Sequence, residues 1–422
     1  MVKTILVFLV IFSIIVVIHE FGHFYWAKKA GILVREFSLG MGPKLFAKQA
    51  KDGTTYTVRM LPLGGYVRLA GLGEEEMIQP GQSVGIILNE QDKVVKVNTS
   101  EKQAQLEELP IQIDHVDLVD EMKISGYVTG QDERKDFEVD RQAEIIEPDG
   151  TIVRVAPKES RYESVSVFNK ILTNFGGPLN NFILSILAFT IVGFMLPNVP
   201  NYSNEIGEVI ENSSAEEAGL LAGDRILSIE GISTKNWNEL TAEIAKYPDK
   251  SVEIEVERDN KQMTVPAKVS SSEMENGQKV ASLGITIKKS TAVLDRILFG
   301  FTATWNVVMM VLGALSTIFT RGFDLNMFGG PVAMAQATSQ VANEQLVDII
   351  WFLASLSTNL GIINLLPIPA LDGGKIVMNL VELLRGKPLS QEKEGLITLV
   401  GVVLLLVLMV AVTWNDIMRA FF

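Results

Sequence analysis

His19, Glu20 and His23 are the residues of this chain whose types and spacing most directly indicate metal chemistry. They stand in the sequence H-E-F-G-H, inside an apolar run that starts at Ile5. On a helix, two histidines four residues apart share one face, so both imidazoles can bind one metal ion. Glu20 lies one step round the helix, where it can take a proton from a metal-bound water instead of binding the metal. We therefore predict a zinc (Zn2+) site here, and a buried polar cluster is the alternative.

A second polar group interrupts an apolar run near the other end of the chain. Residues 359–375 read N-L-G-I-I-N-L-L-P-I-P-A-L-D-G-G-K, and Pro367 and Pro369 break the helix that precedes them. Non-helical backbone at membrane depth is tolerated only against protein or a wet cavity, so Asp372 needs a partner there. A zinc ion would serve as that partner, whereas the alternative is that Asp372 caps the following helix. With the histidine pair present, we predict that Asp372 is the third ligand.

The amino-acid composition limits which kinds of structure can position these residues. The chain has 422 residues, of which 47% are hydrophobic, and it has no cysteine, so a thiolate metal site is excluded. Its net charge is −13, and residues 73–168 hold about 22 acids against about 10 bases, a difference of about −12. That balance argues against a nucleic-acid partner and indicates a solvated acidic insert at 73–168.

Four apolar segments are predicted to cross the membrane. The first is long enough for about 30 Å of hydrocarbon, and a cleaved signal peptide is its alternative, although no small-x-small cleavage site follows it. Asp295 and Arg296 interrupt residues 293–319, which we therefore predict to be an amphipathic helix lying on the membrane. The four predicted spans are residues 4–27, 179–196, 347–366 and 396–412.

Basic residues give the predicted orientation. Lys28, Lys29 and Arg35 follow the first span, and the positive-inside tendency then puts the N-terminus outside. With four spans, the histidine pair and Asp372 both lie towards the cytoplasmic side, and the acidic insert lies inside. A fifth span at 293–319 would reverse the third span and take Asp372 away from the metal.

Two other stretches have the pattern of strands. Residues 56–61 and 65–69 are short β-prone runs with turns at 52–53 and 63–65, which predicts either a plain surface hairpin or a sheet edge beside the metal. Residues 205–289 read as strand, short helix, turn and strand, with A-G-L-L-A-G-D-R-I-L-S-I-E-G at 218–231. That run resembles a PDZ domain, which implies a groove that takes an extended peptide as an added strand.

Predictions also follow for four residues outside these motifs. Pro178, in F-G-G-P at 175–178, is placed in the first turn of the second span. The amides of Asn180 and Asn181 could donate hydrogen bonds near a polar site or form a capping cluster, and their spacing does not separate the two. His115 lies in the acidic insert and is predicted to be a surface histidine.

The motifs together resemble one known family. H-E-F-G-H and N-L-L-P-I-P-A-L-D-G-G, separated by a PDZ-like domain, resemble the site-2 protease family of intramembrane zinc metalloproteases, and within it the bacterial regulators of sigma-factor proteolysis. The resemblance implies that His19, His23 and Asp372 bind zinc and that Glu20 is catalytic. It also implies that Asn364 contacts the substrate or steadies the transition state.

The same resemblance assigns a role to the predicted hairpin. In the family, a membrane-associated β-hairpin presents the substrate as a strand, and Gly65, Tyr66 and Val67 stand at the matching positions. The implied partners are the lipid bilayer and transmembrane protein substrates, among them anti-sigma factors and leftover signal peptides. The implied location is a bacterial cell membrane, crossed several times, with the active site near its cytoplasmic side.

The predicted fold is an α-helical polytopic membrane protein with four transmembrane helices, a membrane-associated β-hairpin, a small β-rich cytoplasmic insert and an external PDZ-like α/β domain. The alternatives are a non-catalytic membrane-anchored PDZ scaffold, and a membrane-anchored protease for soluble peptides that would need His115 as a ligand. The predicted boundaries are 1–72 for the first transmembrane helix and hairpin, 73–168 for the insert, 169–200 for the second transmembrane helix, 201–290 for the PDZ-like domain, 291–343 for membrane-surface helices, and 344–422 for the last two transmembrane helices.

Overall fold

Long helices and four β-sheets make up the described chain. The computed structural model describes residues 2–72, 78–100, 108–273, 279–322 and 324–421. The helices are α1 (Val2–Lys29), α2 (Val167–Met195), α3 (Ser214–Glu217), α4 (Trp237–Ile244), α5 (Val293–Arg321), α6 (Pro331–Val341), α7 (Leu346–Leu365), α8 (Asp372–Arg385) and α9 (Gln391–Phe421). The chain divides into two units, Met1–Ala188 with Thr304–Phe422, and Phe189–Ala303.

Strands fill the segments between the first helices. They are β1 (Val34–Gln49), β2 (Thr55–Leu69), β3 (Ser83–Leu88), β4 (Val94–Asn98), β5 (Leu109–Asp117), β6 (Lys123–Val128), β7 (Arg134–Ile146), β8 (Ile152–Arg154), β9 (Val199–Val209), β10 (Arg225–Ile229), β11 (Ile232–Ser233), β12 (Ser251–Arg258), β13 (Lys261–Lys268), β14 (Ser270–Glu273), β15 (Lys279–Ser282) and β16 (Ile285–Ser290).

Among the described residues, five helices are long and apolar enough to cross a membrane, judged by length and composition. They are α1, α2, α5, α7 and α9. Helices therefore occupy all four predicted spans, but the count of four is not confirmed, because the predicted surface segment at 293–319 is the continuous helix α5 and qualifies as well.

The second predicted span is wrong at its start. Helix α2 begins at Val167, a full three turns before Pro178, which therefore lies inside the helix and not in its first turn. An internal proline removes one backbone hydrogen bond, but α2 continues past it where it lies close against α1. A Cβ atom on Gly22 would lie 2.0 Å from the carbonyl oxygen of Gly176. A second F-G-G-P sequence, at 328–331, differs from the first, because its proline, Pro331, opens α6 with Gly330 as the N-cap.

Helices α1, α2 and α7 pack as neighbours in the first unit. Asn180 donates to the carbonyl of Ile18 at 3.0 Å, which places the middle of α2 beside the motif of α1. On its other side, α2 contacts α7, where the hydroxyls of Ser185 and Thr358 lie 2.5 Å apart. Polar contacts of this kind satisfy side chains that could not be left unpaired between apolar helices.

The hairpin of β1 and β2 curls back on itself. Phe37 of β1 pairs with Tyr56 on one side and with Val67 on the other, so both halves of β2 flank the same part of β1. The two short runs predicted around residues 63–65 are thus one strand, which turns at Gly64, where φ is +85°. The resulting order across the sheet is 44–49, 55–59, 34–39 and 65–69.

The acidic insert is a six-stranded sheet, as its β-prone runs predicted. The strand order is β4-β3-β5-β6-β7-β8, and β4 also pairs with β7, which closes the sheet on itself. Alternate side chains point inwards along each strand and form one apolar core. That core includes Ile86, Val97, Ile111, Ile124, Ile145 and Val153, all of them buried.

The second unit contains the predicted PDZ-like domain. Its sheet has the order β13-β12-β10-β9-β16, and α3 is the short helix that the sequence predicted after the first strand. Asp224, from the G-D step of the sequence run, is buried and pairs with Arg258 at 2.7 Å, which links the start of β10 to the end of β12. Leu220, Ile226, Leu240 and Ile254 belong to the core beneath it.

Candidate metal centre

His19, His23 and Asp372 converge on one point. The two Nε2 atoms of the histidines lie 3.2 Å apart, and Oδ2 of Asp372 lies 3.2 Å from Nε2 of His19 and 3.4 Å from Nε2 of His23. The residues come from opposite ends of the chain, on α1 and at the start of α8. The structure therefore brings together the three residues predicted as ligands.

The donor set fits a zinc ion. Catalytic zinc is held by histidine nitrogens and carboxylate oxygens at about 2.0–2.2 Å, and tetrahedral ligands at that distance lie about 3.3 Å from one another. The three distances between the donor atoms match that spacing. Oδ2 of Asp372 is also buried and has no hydrogen-bond donor of good geometry in the described chain. A buried carboxylate oxygen needs a positive partner, and a divalent cation between the three atoms would supply it.

Backbone from α2 fixes the orientation of His23. Its Nδ1 lies 2.8 Å from the carbonyl oxygen of Thr173. Because a carbonyl can only accept, Nδ1 carries the hydrogen, and the lone pair of the neutral ring is left on Nε2, where a metal needs it. No residue type marks Thr173 in the sequence, since the contact is made by a carbonyl that every residue has.

A side chain from α2 fixes His19. The amide of Asn181 lies 3.1 Å from Nδ1 of His19, and its Oδ1 is buried without a hydrogen-bond partner. Turning the amide over about its last bond would put Oδ1 against an Nδ1–H and satisfy both atoms. Of the two roles left open for Asn181, the structure supports the hydrogen bond near a polar site.

Gly177 leaves room for the two rings. A Cβ atom at this position would lie 2.4 Å from Nε2 of His23 and 2.7 Å from Nε2 of His19. A glycine is therefore required where α2 crosses the motif of α1. The sequence F-G-G-P includes Gly177, but residue type alone does not indicate that this glycine leaves room for the two rings.

Asp372 reaches the histidines from the broken segment that follows α7. It is the first residue of α8, and Leu371, not Asp372, is the N-cap of that helix, so capping does not explain the carboxylate. The two glycines that follow allow close packing, because a Cβ on Gly373 would lie 2.3 Å from the carbonyl oxygen of Leu365. The L-D-G-G sequence thus lets the start of α8 fold back over the end of α7.

Glu20 and Asn364 lie near the ligands without belonging to them. The group of converging donor atoms consists of His19, His23 and Asp372. The carboxylate of Glu20 is within electrostatic range of all three. Asn364 is half-buried in the last turn of α7, just before the helix breaks.

The hairpin lies against the same helix. Gly65 opens the outer ribbon of the sheet, and a Cβ there would be 3.7 Å from Val16, one turn before His19. The ring of Phe24, next to His23, packs on Phe37 with centroids 5.5 Å apart. Of the two readings of this hairpin, the structure therefore supports the sheet edge near the metal.

The other predicted hairpin residues lie on that edge. Val67 pairs with Phe37, and the ring of Tyr66 stacks under the Arg59 guanidinium at 5.5 Å. In the ranges that the structure describes, β1 is the only strand paired with the 65–69 ribbon, so its outer side carries no strand.

His115 plays no part in this group. It lies on β5 of the insert, its side chain is 53% exposed, and its nearest acid is Glu121 at 3.8 Å. The predicted surface position is confirmed. The alternative of a protease with a third ligand in a soluble domain therefore has no support in the described chain.

Comparisons with known proteins agree with this geometry. The sequence profile of Peptidase family M50 matches residues 7–408. "Probable protease eep" of Enterococcus faecalis is 47% identical, over 100% of both chains. "Putative zinc metalloprotease LL2128" of Lactococcus lactis is 46% identical, also over 100% of both. A crystal structure of the PDZ domain of an SdrC-like protein from Listeria monocytogenes is 23% identical and covers 21% of this chain and 90% of that one, with a TM-score of 0.18.

The family match spans nearly the whole chain, and the relatives align with it from end to end. The alternative of a non-catalytic scaffold is therefore wrong. The chain belongs to Peptidase family M50, the site-2 protease family, and it is a multi-pass membrane zinc metalloprotease.

Proposed function

We propose that this protease hydrolyses peptide bonds inside the transmembrane segments of single-span proteins. The observation that carries the proposal is the placement of three converging donor atoms, two of them on buried residues and one on a half-buried residue, between helices long and apolar enough to lie in a membrane. A site for soluble peptides has no reason to be built there, because polar ligands in apolar surroundings are costly.

His19, His23 and Asp372 are proposed to hold the zinc ion, with Asn181 and the Thr173 carbonyl orienting the two rings. When bound, zinc supplies a water of lowered pKa and polarises the scissile carbonyl. Glu20 accepts the proton of the attacking water and later passes it to the leaving amine. Asn364 donates a hydrogen bond to the substrate carbonyl as charge develops on it.

A transmembrane helix hides its carbonyls in its own hydrogen bonds, so it must unwind before it can be cut. The outer side of the 65–69 ribbon offers replacement bonds, since an extended peptide can add to a sheet edge. Gly65, Tyr66 and Val67 are proposed to bind the unwound segment. Support comes from the position of Gly65 beside Val16, one turn from the first histidine.

The hairpin has the surface of a membrane-embedded element. Its exposed side chains are largely apolar, which in water would expose a contiguous apolar patch. We infer that lipid covers them. The most exposed of these residues are Leu45, Phe46, Met60, Met41 and Leu61.

The C-terminus of helix α5 is proposed to lie on the far side of the membrane from the metal centre. Thr317, near its C-terminus, lies 3.4 Å from the sulfur of Met327. The neighbouring Asn326 contacts Asn415 near the C-terminus of α9. The N-terminal part of α9, by contrast, packs at Gly401 on the Pro369 carbonyl, close to the break before Asp372.

That placement keeps the orientation expected from the basic residues. The metal centre then lies near the cytoplasmic side of a bacterial cell membrane, the acidic insert lies inside, and the PDZ-like domain lies outside. Anti-sigma factors and leftover signal peptides are the proposed substrates, because both are single-span or remnant transmembrane segments.

The direct test is cleavage of single-span model substrates by the detergent-purified protein, with and without a zinc chelator. We expect a chelator-sensitive cut that maps within the transmembrane sequence. A cut confined to the soluble flanks would refute intramembrane proteolysis while leaving the zinc protease intact.

A further inference from the structure

The acidic insert holds the base of the hairpin through several contacts. Arg68 of β2 pairs with Glu147 at 2.6 Å. Arg35 of β1 donates to the carbonyl of Arg154 at 2.5 Å. Lys44 donates to Thr151 at 3.0 Å. Thr55 donates to the carbonyl of Ile152. The β7–β8 turn of the insert is thus fastened to both strands of the hairpin.

The other end of the insert holds the helices of the metal centre. Tyr162 lies at this end, and its ring packs in a buried cluster with Ala27, Val34 and Leu69. Its backbone N–H donates to the carbonyl of Ala70 at 2.7 Å, directly after the hairpin. One residue of the insert thus lies where α1 and the hairpin meet.

The hydroxyl of Tyr162 extends this junction to α2 and α8. Asn174 donates to it at 2.8 Å, and the amide nitrogen of Asn379 lies 3.0 Å away. Asn174 follows Thr173, whose carbonyl orients His23, and Asn379 lies two turns beyond Asp372 on α8. All three side chains of this network are buried.

A buried ion pair lies beside the same network. Lys170 of α2 contacts both carboxylate oxygens of Glu382 of α8, at 2.8 and 3.0 Å. Its ammonium also lies 5.6 Å from the centre of the Tyr162 ring. Burial raises the pKa of Tyr162 to about 12, so the hydroxyl stays protonated throughout the neutral range.

We propose that the acidic insert is a brace that holds the substrate-binding hairpin and the Asp372 helix in one fixed relation, with Tyr162 as the positioning residue for α8. The inference rests on the proposed function, since it assumes Asp372 as a ligand and the hairpin as the substrate site. It gives the insert two separable tasks. The Glu147 end positions the substrate strand, and the Tyr162 end positions a metal ligand.

The Tyr162 end is tested on the full chain in detergent. Protein loaded with Zn2+ gives the rate at which the metal is lost to a chelator, and protein loaded with Co2+ gives the visible spectrum of the site. Tyr162→Phe keeps the packed ring and removes only the hydroxyl. We expect about threefold or faster zinc loss and a changed cobalt spectrum, because partners beyond the first ligands tune metal affinity. Tyr127→Phe, an exposed tyrosine of the same insert, is the matched control and should behave as the unaltered protein.

The Glu147 end is tested with Arg68→Gln and a transmembrane model substrate. We expect the KM to rise about threefold or more, because a shifted strand binds substrate less well, while zinc loss and the cobalt spectrum stay unchanged. Arg141→Gln breaks an exposed ion pair with Glu159 on the same insert and serves as the control. Unchanged melting temperatures show that each variant is folded.

The brace is overturned if Tyr162→Phe matches Tyr127→Phe in zinc loss and spectrum, or if Arg68→Gln leaves the KM unchanged. Failure of the proposed function is recognised separately. In that case Asp372→Ala leaves the cobalt spectrum of the protein unaltered, or the unaltered protein does not cut the substrate at all.

Discussion

The side-chain amide of Asn181 lies 3.1 Å from Nδ1 of His19, on the side of the ring away from the Nε2 atom that faces His23 and Asp372. A hydrogen bond at this nitrogen decides which tautomer the ring adopts and how it is turned. The neighbouring Asn180 has a different task, because it donates to the backbone carbonyl of Ile18. Of these two adjacent asparagines, Asn181 thus orients a metal ligand, and Asn180 joins two packed helices.

Replacing Asn181 should therefore weaken metal binding more than replacing Asn180. For Asn181→Leu we expect zinc affinity to fall about 10- to 100-fold, the usual cost of losing a group that orients a metal-binding histidine. Asn180→Leu should change the zinc affinity far less. Zinc competition with a chelator measures both, and equal affinities for the two variants would argue against the orienting role.

Gly177 should tolerate no side chain. Because a Cβ would lie 2.4 Å from one ligand nitrogen and 2.7 Å from the other, Gly177→Ala must displace both rings. We expect the variant to lose both its stoichiometric zinc and its proteolytic activity. Gly313→Ala is the matched control, since it is the same change in a long apolar helix where a Cβ meets nothing within 4 Å. Full zinc content in Gly177→Ala would show that the rings can move aside without cost.

Glu20 should be needed for peptide hydrolysis and not for binding of the metal. In Glu20→Gln the side chain keeps its shape and loses the ability to accept a proton, so we expect cleavage to fall about 10²- to 10⁴-fold. Zinc content should stay at the level of the unaltered protein, since Glu20 is outside the group of donor atoms. Metal analysis and substrate cleavage on one preparation measure both, and retained cleavage would end the role of general base.

The PDZ-like domain should lose stability in acid through Asp224. Burial by itself raises the pKa of this carboxyl, but hydrogen bonds from Arg258 and from the Leu221 N–H outweigh it and lower the pKa below its ordinary value. The ionised form therefore stabilises the folded domain above pH about 4, and this stabilisation disappears as the pH falls through the lowered pKa.

Asp224→Asn removes that pH dependence and should cost about 1–3 kcal/mol at neutral pH, because Arg258 loses a charged partner. Hydrogen exchange of residues 205–268 in the full chain, at pH 6 and at about pH 3, measures both the cost and the pH dependence. Glu208→Gln alters an exposed pair and should have little effect. Equal acid sensitivity in Asp224→Asn and the unaltered protein would contradict the assignment.

The ligands could be predicted because their chemistry is carried by residue type. Histidine, glutamate and aspartate are rare in apolar runs, and prolines mark the break that precedes Asp372, so the sequence alone joined two distant motifs. The strand pattern likewise predicted the insert as a β-rich domain. In both cases the signal lies in side chains that are unusual for their surroundings.

What the sequence could not predict depends on tertiary packing. Pro178 and Pro331 both follow the sequence F-G-G, but Pro178 lies inside α2 whereas Pro331 opens α6. The difference arises because α2 packs closely against α1 and continues past its proline. The Thr173 carbonyl carries no signal of residue type, and the need for glycine at 177 appears only when α2 and α1 are brought together.

Residue 372 should bind the same metal ion as the histidine pair, and zinc X-ray absorption on Asp372→Cys measures this without an intermediate step. The chain has no cysteine, so no other thiolate can contribute a signal. If residue 372 binds the zinc ion, a sulfur neighbour is found at about 2.3 Å from zinc, in place of one oxygen of the unaltered protein. Zinc retained with only nitrogen and oxygen neighbours would contradict it.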